Sequence, residues 1–362
     1  MPKSAKYLLI GSSEAYSGKS AMILGMAHQL KAKGIDLAYG KPIGTCLSES
    51  TVDNLDEDVR LIAHTLDLAE NRLLPTLLSL DEDTIAQRIS GADQSNYSHL
   101  LQETLQSPGG DLVLLEGTGT LEEGLLFDLS LLQMAQTLNA SVVLVSRYHS
   151  GLVVEGLMAA KQKLGDYLIG VLINDVPTEH LEKVETQVKP FLEHQGIEVL
   201  GILPRSDILR SVSVGELVHQ LGAEILCRPD RLDLMVESLK IGAMNVNSAL
   251  EYFRKGYNMA VVTGGDRTDI QLAALETSTQ CLILTGHMPP LPAVLSRAED
   301  LEIPILSVDL DTLTTVEIID RTFGQVRVHE PIKVQTISQL MAASFNVDRL
   351  LAKLGLEPVP TV

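Results

Sequence analysis

The chain has 362 residues, of which 45% are hydrophobic and only 4% are aromatic, and it contains no tryptophan. This length accommodates two or three domains, and the hydrophobic fraction is high enough for aliphatic cores, which excludes a largely disordered chain. The formal net charge of −19 repels nucleic-acid backbones and anionic membrane surfaces. We therefore expect neither a nucleic acid nor a membrane as a partner.

The cysteines and the hydropathy pattern bear on the compartment. The three cysteines, at positions 46, 227 and 281, are scattered, and their spacing indicates neither a zinc site nor a disulfide framework. No stretch approaches the ~18 uninterrupted apolar residues that a membrane-spanning helix needs. Free thiols are typical of a reducing compartment, so we expect a cytoplasmic protein.

The sequence KYLLIGSSEAYSGKSA at residues 6–21 predicts a buried strand, a small polar loop and a helix that begins near Gly18. Such a turn suits phosphate groups because backbone N–H groups and the positive helix end converge on it, while Lys19 reaches the outer phosphates. The hydroxyl of Ser20 is then placed to ligate Mg²⁺. The alternative is a strand-turn-helix in which Gly-Lys-Ser occurs by chance.

The loop departs from the common phosphate-binding pattern in one respect. That pattern has glycine five residues before Gly18, where this chain has Ser13. The nearest earlier glycine is Gly11, so the predicted loop is longer than the standard one.

Charged residues follow the next predicted elements. Lys41 comes directly after a short strand at 37–40 and faces either phosphates or a substrate anion; the alternative is a solvated loop lysine. An acidic cluster at 55–58 precedes a helix, and Asp58 or Asp56 would approach Mg²⁺. Helix capping is the alternative interpretation of these carboxylates.

The sequence DLVLLEGTG at 111–119 predicts a central parallel strand that is buried on both faces. Glu116 stands at its C-terminal edge, where ligands bind in open α/β sheets, and would hold Mg²⁺ directly or through water. Gly117 and Gly119 allow the backbone to approach a ligand closely.

Strands and helices alternate through residue 203 with short loops, so we predict an α/β fold with a parallel sheet and helices on both faces. Asn174 ends one of these strands and is placed to hydrogen-bond an adenine edge. The alternative for Asn174 is a turn-forming Asn-Asp pair.

Residues 5–210 contain the motifs GSSEAYSGKS at 11–20, KPIGT at 41–45, EGTGT at 116–120, ND at 174–175 and GILP at 201–204. These motifs give the segment a resemblance to the dethiobiotin-synthetase type of P-loop domain. The resemblance implies that ATP or another adenine nucleotide binds at Ser13, Glu14, Ser17, Gly18, Lys19, Ser20, Ala21, Asn174 and Pro204. It further implies Mg²⁺ at Ser20, Asp58 and Glu116, with Lys41 and Glu116 as catalytic residues. The chain departs from that motif set at Thr120, which replaces its last glycine.

A second domain is predicted at 214–330, beginning with a helix at 214–225, and a C-terminal helical tail at 331–362. The sequence TGGDRTD at 263–269 follows a strand, and the segment resembles the DRTGG domain family. Two glycines before a helix, with an arginine beside them, suit an anion. The predicted ligand loop is Thr263, Gly264, Gly265, Asp266, Arg267 and Thr268. The alternative is a structural turn with an ion pair between Asp266 and Arg267.

The two resemblances together match the N-terminal regulatory half of long bacterial phosphate acetyltransferases, and we expect the acetyltransferase catalytic domain to be lacking. The leading hypothesis is an adenine-nucleotide-responsive regulatory protein, in which weak ATPase activity stays open. One alternative is an ATP-dependent ligase or kinase; another is an interaction scaffold with a vestigial P-loop. A homo-oligomer and a protein partner are further expectations.

Overall fold

The computed structural model describes residues 6–44, 56–105, 109–324 and 330–358. Thr45 of the KPIGT motif and Cys46 lie outside these ranges. The described chain forms two compact units, the first made of residues up to 205 together with those from 330, and the second of residues from 206 to 324.

The described part of the first unit contains nine strands. They are β1 (Lys6–Ser12), β2 (Leu37–Gly40), β3 (Ile43–Gly44), β4 (Leu73–Leu74), β5 (Leu78–Ser79), β6 (Leu112–Glu116), β7 (Ser141–Arg147), β8 (Leu168–Val176) and β9 (Val199–Pro204). Seven of them form one sheet in the order β4–β2–β6–β1–β7–β8–β9, in which every neighbouring pair is parallel. Strands β3 and β5 form a separate parallel pair. The predicted parallel α/β sheet is confirmed.

Helices flank this sheet. They are α1 (Lys19–Ala32), α2 (Glu57–Thr65), α3 (Glu82–Ile89), α4 (Tyr97–Thr104), α5 (Leu131–Leu138), α6 (Val153–Leu164), α7 (Leu181–Lys183) and α8 (Lys189–His194). A π-helical turn at Val184–Val188 joins the last two. Each residue of the central strand β6 is buried, as are all residues of α1 from 21 to 27, so aliphatic side chains fill the space between sheet and helix.

The second unit has strands β10 (Val212–Ser213), β11 (Glu224–Cys227), β12 (Met235–Val236), β13 (Ser238–Ile241), β14 (Met259–Gly264), β15 (Thr279–Thr285) and β16 (Ile305–Ser307). Its sheet has the order β11–β16–β15–β14–β13, with only β11 antiparallel to its neighbour. The helices are α9 (Asp207–Arg210), α10 (Val214–Leu221), α11 (Val246–Phe253), α12 (Thr268–Leu275), α13 (Pro292–Asp300) and α14 (Thr312–Gly324).

The helix predicted to run to residue 225 is wrong at its C-terminal end. Helix α10 stops at Leu221 because Gly222 adopts a left-handed conformation with φ 59°. The next residues then form β11, which pairs with β16 about eighty positions later in the chain. That distant pairing leaves no local signal in the sequence.

The C-terminal helices α15 (Pro331–Ser344) and α16 (Val347–Leu354) belong to the first unit, although the second unit separates them from it in sequence. Both pack against α1. A Cβ atom on Gly25 of α1 would lie 2.4 Å from Cγ of Met341, so the helices touch where that glycine stands. The backbone N–H of Asn346 also donates to the carbonyl of Leu200 at 2.8 Å, at the edge of the sheet.

Among the helices in the described ranges, none is both long enough and apolar enough to cross a membrane.

We predict that Gly25→Ala destabilises the protein by about 1–3 kcal/mol, because the added methyl group has to displace Met341 from a packed helix interface. Gly156→Ala is the matched control, since a Cβ atom added to Gly156 of α6 would meet no atom of another element within 4 Å. There alanine stabilises by about 0.5–1 kcal/mol through helix propensity. Urea denaturation measures both; equal shifts in the same direction would contradict the packing account.

Candidate phosphate-binding site

The loop between β1 and α1 ends at Gly18, which has a φ of 87° and precedes the first residue of the helix. A side chain there would be strained, and its Cβ would lie 2.4 Å from Nδ2 of Asn174. The loop also contains Tyr16 with φ 56°. The backbone therefore turns sharply just before α1, as a loop that presents N–H groups to an anion requires.

Asn174 supports this loop from the end of β8. Its Nδ2 donates a hydrogen bond to the carbonyl of Ser17 at 2.9 Å. The side chain predicted to contact an adenine edge thus holds the phosphate loop in position. Among the described residues, the buried hydroxyl of Ser17 has no hydrogen-bond partner.

The side chain of Lys19 extends from the start of α1 to the segment after β6. Its Nζ donates to the carbonyls of Gly117 and Thr118, the latter at 3.0 Å, and lies 3.7 Å from Oε1 of Glu116. Burial lowers the pKa of Lys19, while the Glu116 carboxylate acts in the opposite direction. The ammonium is therefore held between backbone carbonyls and a carboxylate.

Glu116 is the buried carboxylate around which the site is arranged, with only 2% of its surface exposed. The hydroxyl of Ser20 donates to Oε1 at 3.0 Å, and that of Tyr39 donates to Oε2 at 2.8 Å. Burial and the neighbouring carboxylate raise the pKa of Tyr39 well above its ordinary value, so its phenol stays a donor. Both oxygens are satisfied, as a buried charge requires.

Tyr39 is a site residue that the sequence reasoning missed. It lies on β2, directly opposite Leu114 of β6 in the parallel ladder, two residues before Lys41. The available signal was an aromatic hydroxyl in an otherwise apolar strand that ends at a candidate lysine.

Lys41 is 5% exposed, so the solvated-loop alternative is wrong. Its Nζ donates to Oδ2 of Asp58 at 2.6 Å and to Oδ1 of Asp56 at 3.1 Å. Burial lowers the pKa of Lys41, but the carboxylates of Glu116, Asp58 and Asp56 together raise it above its ordinary value. Asp56 also caps α2, accepting from the N–H of Asp58 at 2.9 Å, so capping and ion pairing coexist.

The remaining predicted residues lie in the loop or near it and differ in the contacts they make. The hydroxyl of Ser13 donates to that of Ser146 at 2.9 Å, and Glu14 contacts Nε2 of His149 at 2.9 Å. Ala21 is buried in the first turn of α1. Pro204 ends β9, at the same sheet edge as the loop.

Asp175 follows Asn174 with a φ of 59° and is clamped by two arginines. Nε of Arg147 donates to its Oδ2 at 2.8 Å, and Nε of Arg205 donates to its Oδ1 at 3.1 Å. This cluster fixes the ends of three neighbouring strands, β7, β8 and β9, close to the phosphate loop.

Across the described ranges, no group of three or more His, Cys, Asp or Glu side chains is arranged to hold a metal ion alone. Mg²⁺ typically takes one or two protein ligands and completes its shell with water and substrate phosphates. The hydroxyl of Ser20 and the carboxylate of Glu116, 3.0 Å apart, fit that pattern. Asp58, the third predicted ligand, is engaged by Lys41.

The predicted loop of the second unit joins β14 to α12. A Cβ atom on Gly265 would lie 2.1 Å from the carbonyl oxygen of Met288, so the two backbones touch. Arg267 donates to the carbonyl of Met244 at 2.8 Å and to Asp269 at 3.2 Å. The internal ion pair exists, but its acidic partner is Asp269.

Hydrogen bonds made by buried side chains hold the rest of that loop. Gln271 is fully buried, and its Nε2 donates to the carbonyls of Gly264 and Gly265 at 2.9 and 3.0 Å. The hydroxyl of Thr263 donates to the carbonyl of Gly242 at 3.1 Å. Asp266 is exposed, and Thr268 is the first residue of α12. These contacts fix the turn, and Asp266 is left facing solvent.

Two protein families match the chain. Residues 6–213 match the AAA domain, and residues 216–322 match the DRTGG domain. The phosphate acetyltransferase of Nitratidesulfovibrio vulgaris is 27% identical, over 96% of this chain and 51% of that protein. The phosphate acetyltransferase of Synechocystis sp. is 26% identical, over 81% and 44% respectively. The chain thus spans about half the length of these curated relatives.

Two solved structures are similar at a low level. The CBS and DRTGG domains of the regulatory region of Clostridium perfringens pyrophosphatase are 17% identical, with a TM-score of 0.30, over 47% of this chain and 86% of that one. The signal recognition particle receptor FtsY of Elizabethkingia anophelis is 14% identical, with a TM-score of 0.38, over 56% and 60%. Scores this low carry no argument about ligands.

The predicted pairing of a P-loop domain with a DRTGG domain is confirmed, and the two matched segments adjoin each other in the chain. The similarity to phosphate acetyltransferases extends over most of this sequence. The chain belongs to the AAA domain family, carries a DRTGG domain after it, and is homologous to phosphate acetyltransferases over most of its length.

Proposed function

We propose that the first unit binds an adenine nucleotide with Mg²⁺ and that the chain is a nucleotide-responsive regulatory protein. The observation that carries the proposal is the convergence of Lys19, Ser20 and Glu116 beside the sharp turn at Gly18. This set supplies a cation for the outer phosphates, a hydroxyl and a carboxylate for Mg²⁺, and a helix N-terminus. When bound, Mg²⁺ would neutralise phosphate charge beside Glu116.

The choice of adenine over guanine rests on Asp175. A carboxylate that reads guanine must accept hydrogen bonds from the base, as an acceptor-only group. Here the two oxygens of Asp175 accept from Arg147 and Arg205. Because Asp175 is already paired with two arginines, it is less available to accept from a guanine, which supports an adenine nucleotide.

A regulatory role is favoured over a ligase or kinase because of the state of Lys41. In the ligase hypothesis, Lys41 stabilises charge on a transferring phosphoryl group. In this chain its ammonium is buried and shared between Asp56 and Asp58. Withdrawing it would break its ion pair with the buried Asp56, and breaking a buried pair costs about 3–5 kcal/mol. We therefore assign Lys41 a structural role within the charged cluster.

The chain order provides a route by which nucleotide binding reaches the second unit. The second unit begins just after Arg205, which is tied to Asp175, and the chain then returns as α15, which packs on α1. In sequence, the second unit is thus preceded by a residue bound to Asp175 and followed by a helix that packs on α1. A ligand that favours one arrangement of these elements shifts the population of both units. The loop at 263–268 is the proposed second ligand-responsive element.

Calorimetric titration with Mg-ATP and Mg-ADP tests the binding claim. We predict that Lys19→Ala weakens binding of the preferred nucleotide by about 10–100-fold, because a charge-assisted contact worth roughly 1.5–3 kcal/mol is lost. Lys255→Ala is the control, since Lys255 is 71% exposed in the second unit. Phosphate release is expected to be negligible.

The proposal fails if neither nucleotide binds the wild-type protein at millimolar concentration. It also fails if Lys19→Ala and Lys255→Ala bind as the wild type does. Steady phosphate release that depends on Lys41 would instead restore the ligase hypothesis.

The pH dependence of binding follows from the buried state of Lys19. Burial lowers its pKa below the ordinary 10.5, whereas a bound phosphate favours the protonated form. Lys19 therefore takes up a proton on binding when the pH is near or above its lowered pKa, and nucleotide affinity decreases as the pH rises through that pKa. We predict this decrease in the wild type and a flat profile for Lys19→Arg, whose guanidinium stays charged. Titrations between neutral pH and pH 10 measure it; parallel profiles would contradict the assignment.

A further inference from the structure

The peptide group between Thr118 and Gly119 has a defined and unusual orientation for a phosphate site. Its carbonyl oxygen accepts from Nζ of Lys19 at 3.0 Å. Its N–H points in the opposite direction within the peptide plane and donates to Oε2 of Glu123 at 2.7 Å. The carbonyl, and not the N–H, therefore faces the lysine.

Glu123 is placed by the turn that follows the EGTGT motif. Its own N–H donates to the hydroxyl of Thr120 at 3.2 Å, and the hydroxyl of Thr118 donates to the carbonyl of Thr120 at 2.6 Å. Thr120 is the residue that departs from the synthetase motif. With glycine at that position the turn would lack the hydroxyl that fixes Glu123.

The oriented peptide borders the space beside the phosphate loop. A Cβ atom on Gly119 would lie 2.7 Å from Oε2 of Glu123 and 4.0 Å from Cα of Ala15, which belongs to the loop. The hydroxyl of Ser12 holds the far side of this glycine by donating to its carbonyl at 2.7 Å. The segment that faces the Lys19 ammonium thus offers carbonyl oxygens.

Carbonyl oxygens repel a terminal phosphate, whereas N–H groups stabilise it. A nucleoside diphosphate that ends at the loop would avoid this segment, but a third phosphate that extends to Lys19 would meet the carbonyls of Gly117 and Thr118, to which Lys19 donates. The negative charge of Glu123, held 2.7 Å from the Gly119 N–H, also repels phosphate charge at this segment. Both effects disfavour a third phosphate.

We propose that Glu123 is a specificity-determining residue that latches the Thr118–Gly119 peptide with its carbonyl towards Lys19, so that the site favours a nucleoside diphosphate over a triphosphate. This inference rests on the proposed function. Release of the latch lets the peptide turn, because glycine at 119 accepts either orientation, and presents the Gly119 N–H to a third phosphate. Glu123 acts through the peptide and touches no phosphate itself.

The test compares Mg-ADP and Mg-ATP affinities by calorimetry in the wild type, Glu123→Ala, Glu123→Gln and Glu122→Ala. In Glu123→Ala we expect ATP affinity to rise by about tenfold relative to ADP affinity. Glu123→Gln keeps an oxygen that accepts from the Gly119 N–H, so its change is smaller and reports the charge alone. Glu122→Ala removes an exposed carboxylate from the same turn, one paired with Lys163, and leaves the ratio unchanged.

An unchanged ratio in Glu123→Ala overturns the proposal, as does a wild type that already binds ATP tenfold more tightly than ADP. Absence of binding by both nucleotides contradicts the proposed function instead, and the latch is then tested without ligand. In the free protein the Gly119 amide proton, which is donated to Glu123, is expected to exchange slowly with solvent and to exchange faster in Glu123→Ala. Equal exchange rates of the Gly119 amide in the two proteins refute the latch.

Discussion

The buried carboxylate of Glu116 is the constraint on which the rest of the first unit depends. A charge at the end of the central strand, almost fully removed from water, is tolerated only when cations and donors surround it. Lys19 and Ser20 come from α1, and Tyr39 comes from β2, so three elements are fixed relative to one another by one side chain. The same arrangement leaves a hydroxyl and a carboxylate side by side, which is what a phosphate-bound Mg²⁺ uses.

A second constraint is the return of the chain. Helix α1 is buried nearly all round, because the sheet covers one side and α15 packs where Gly25 lets it approach. The helix that begins at the phosphate loop therefore also contacts the segment that follows the second unit. Arg205, which binds Asp175, precedes the DRTGG domain in the chain, and α15, which packs on α1, follows it. A regulatory role needs a physical route of this kind.

The sequence is informative where chemistry and local pattern coincide. Three local patterns predict the parallel sheet and the meeting of Lys19, Ser20 and Glu116. They are the strand before the glycine-lysine-serine turn, the apolar run before Glu116, and the alternation of strands and helices. Long-range contacts are not predictable in this way. Tyr39 reaches Glu116 only because β2 and β6 are neighbours, and β11 exists only because β16 pairs with it.

Two side chains, Asn174 and Thr120, make contacts that their positions in the sequence do not indicate. The position of Asn174 at a strand end suggests a base contact, but its amide supports the carbonyl of Ser17. Thr120 stands out in the sequence only as a departure from a motif, but its hydroxyl orders the turn that carries Glu123. In both cases the function of the side chain depends on a three-dimensional contact that the residue type alone does not specify.

The most direct test of the central claim is the effect of Mg²⁺ on nucleotide affinity in the wild type and in Glu116→Gln. Titrations with and without the metal give the gain that Mg²⁺ provides in each protein. If Glu116 and Ser20 form the metal side of a nucleotide site, the wild type gains affinity with Mg²⁺, and the variant loses that gain while it still binds metal-free nucleotide. An equal gain in both proteins would contradict the account.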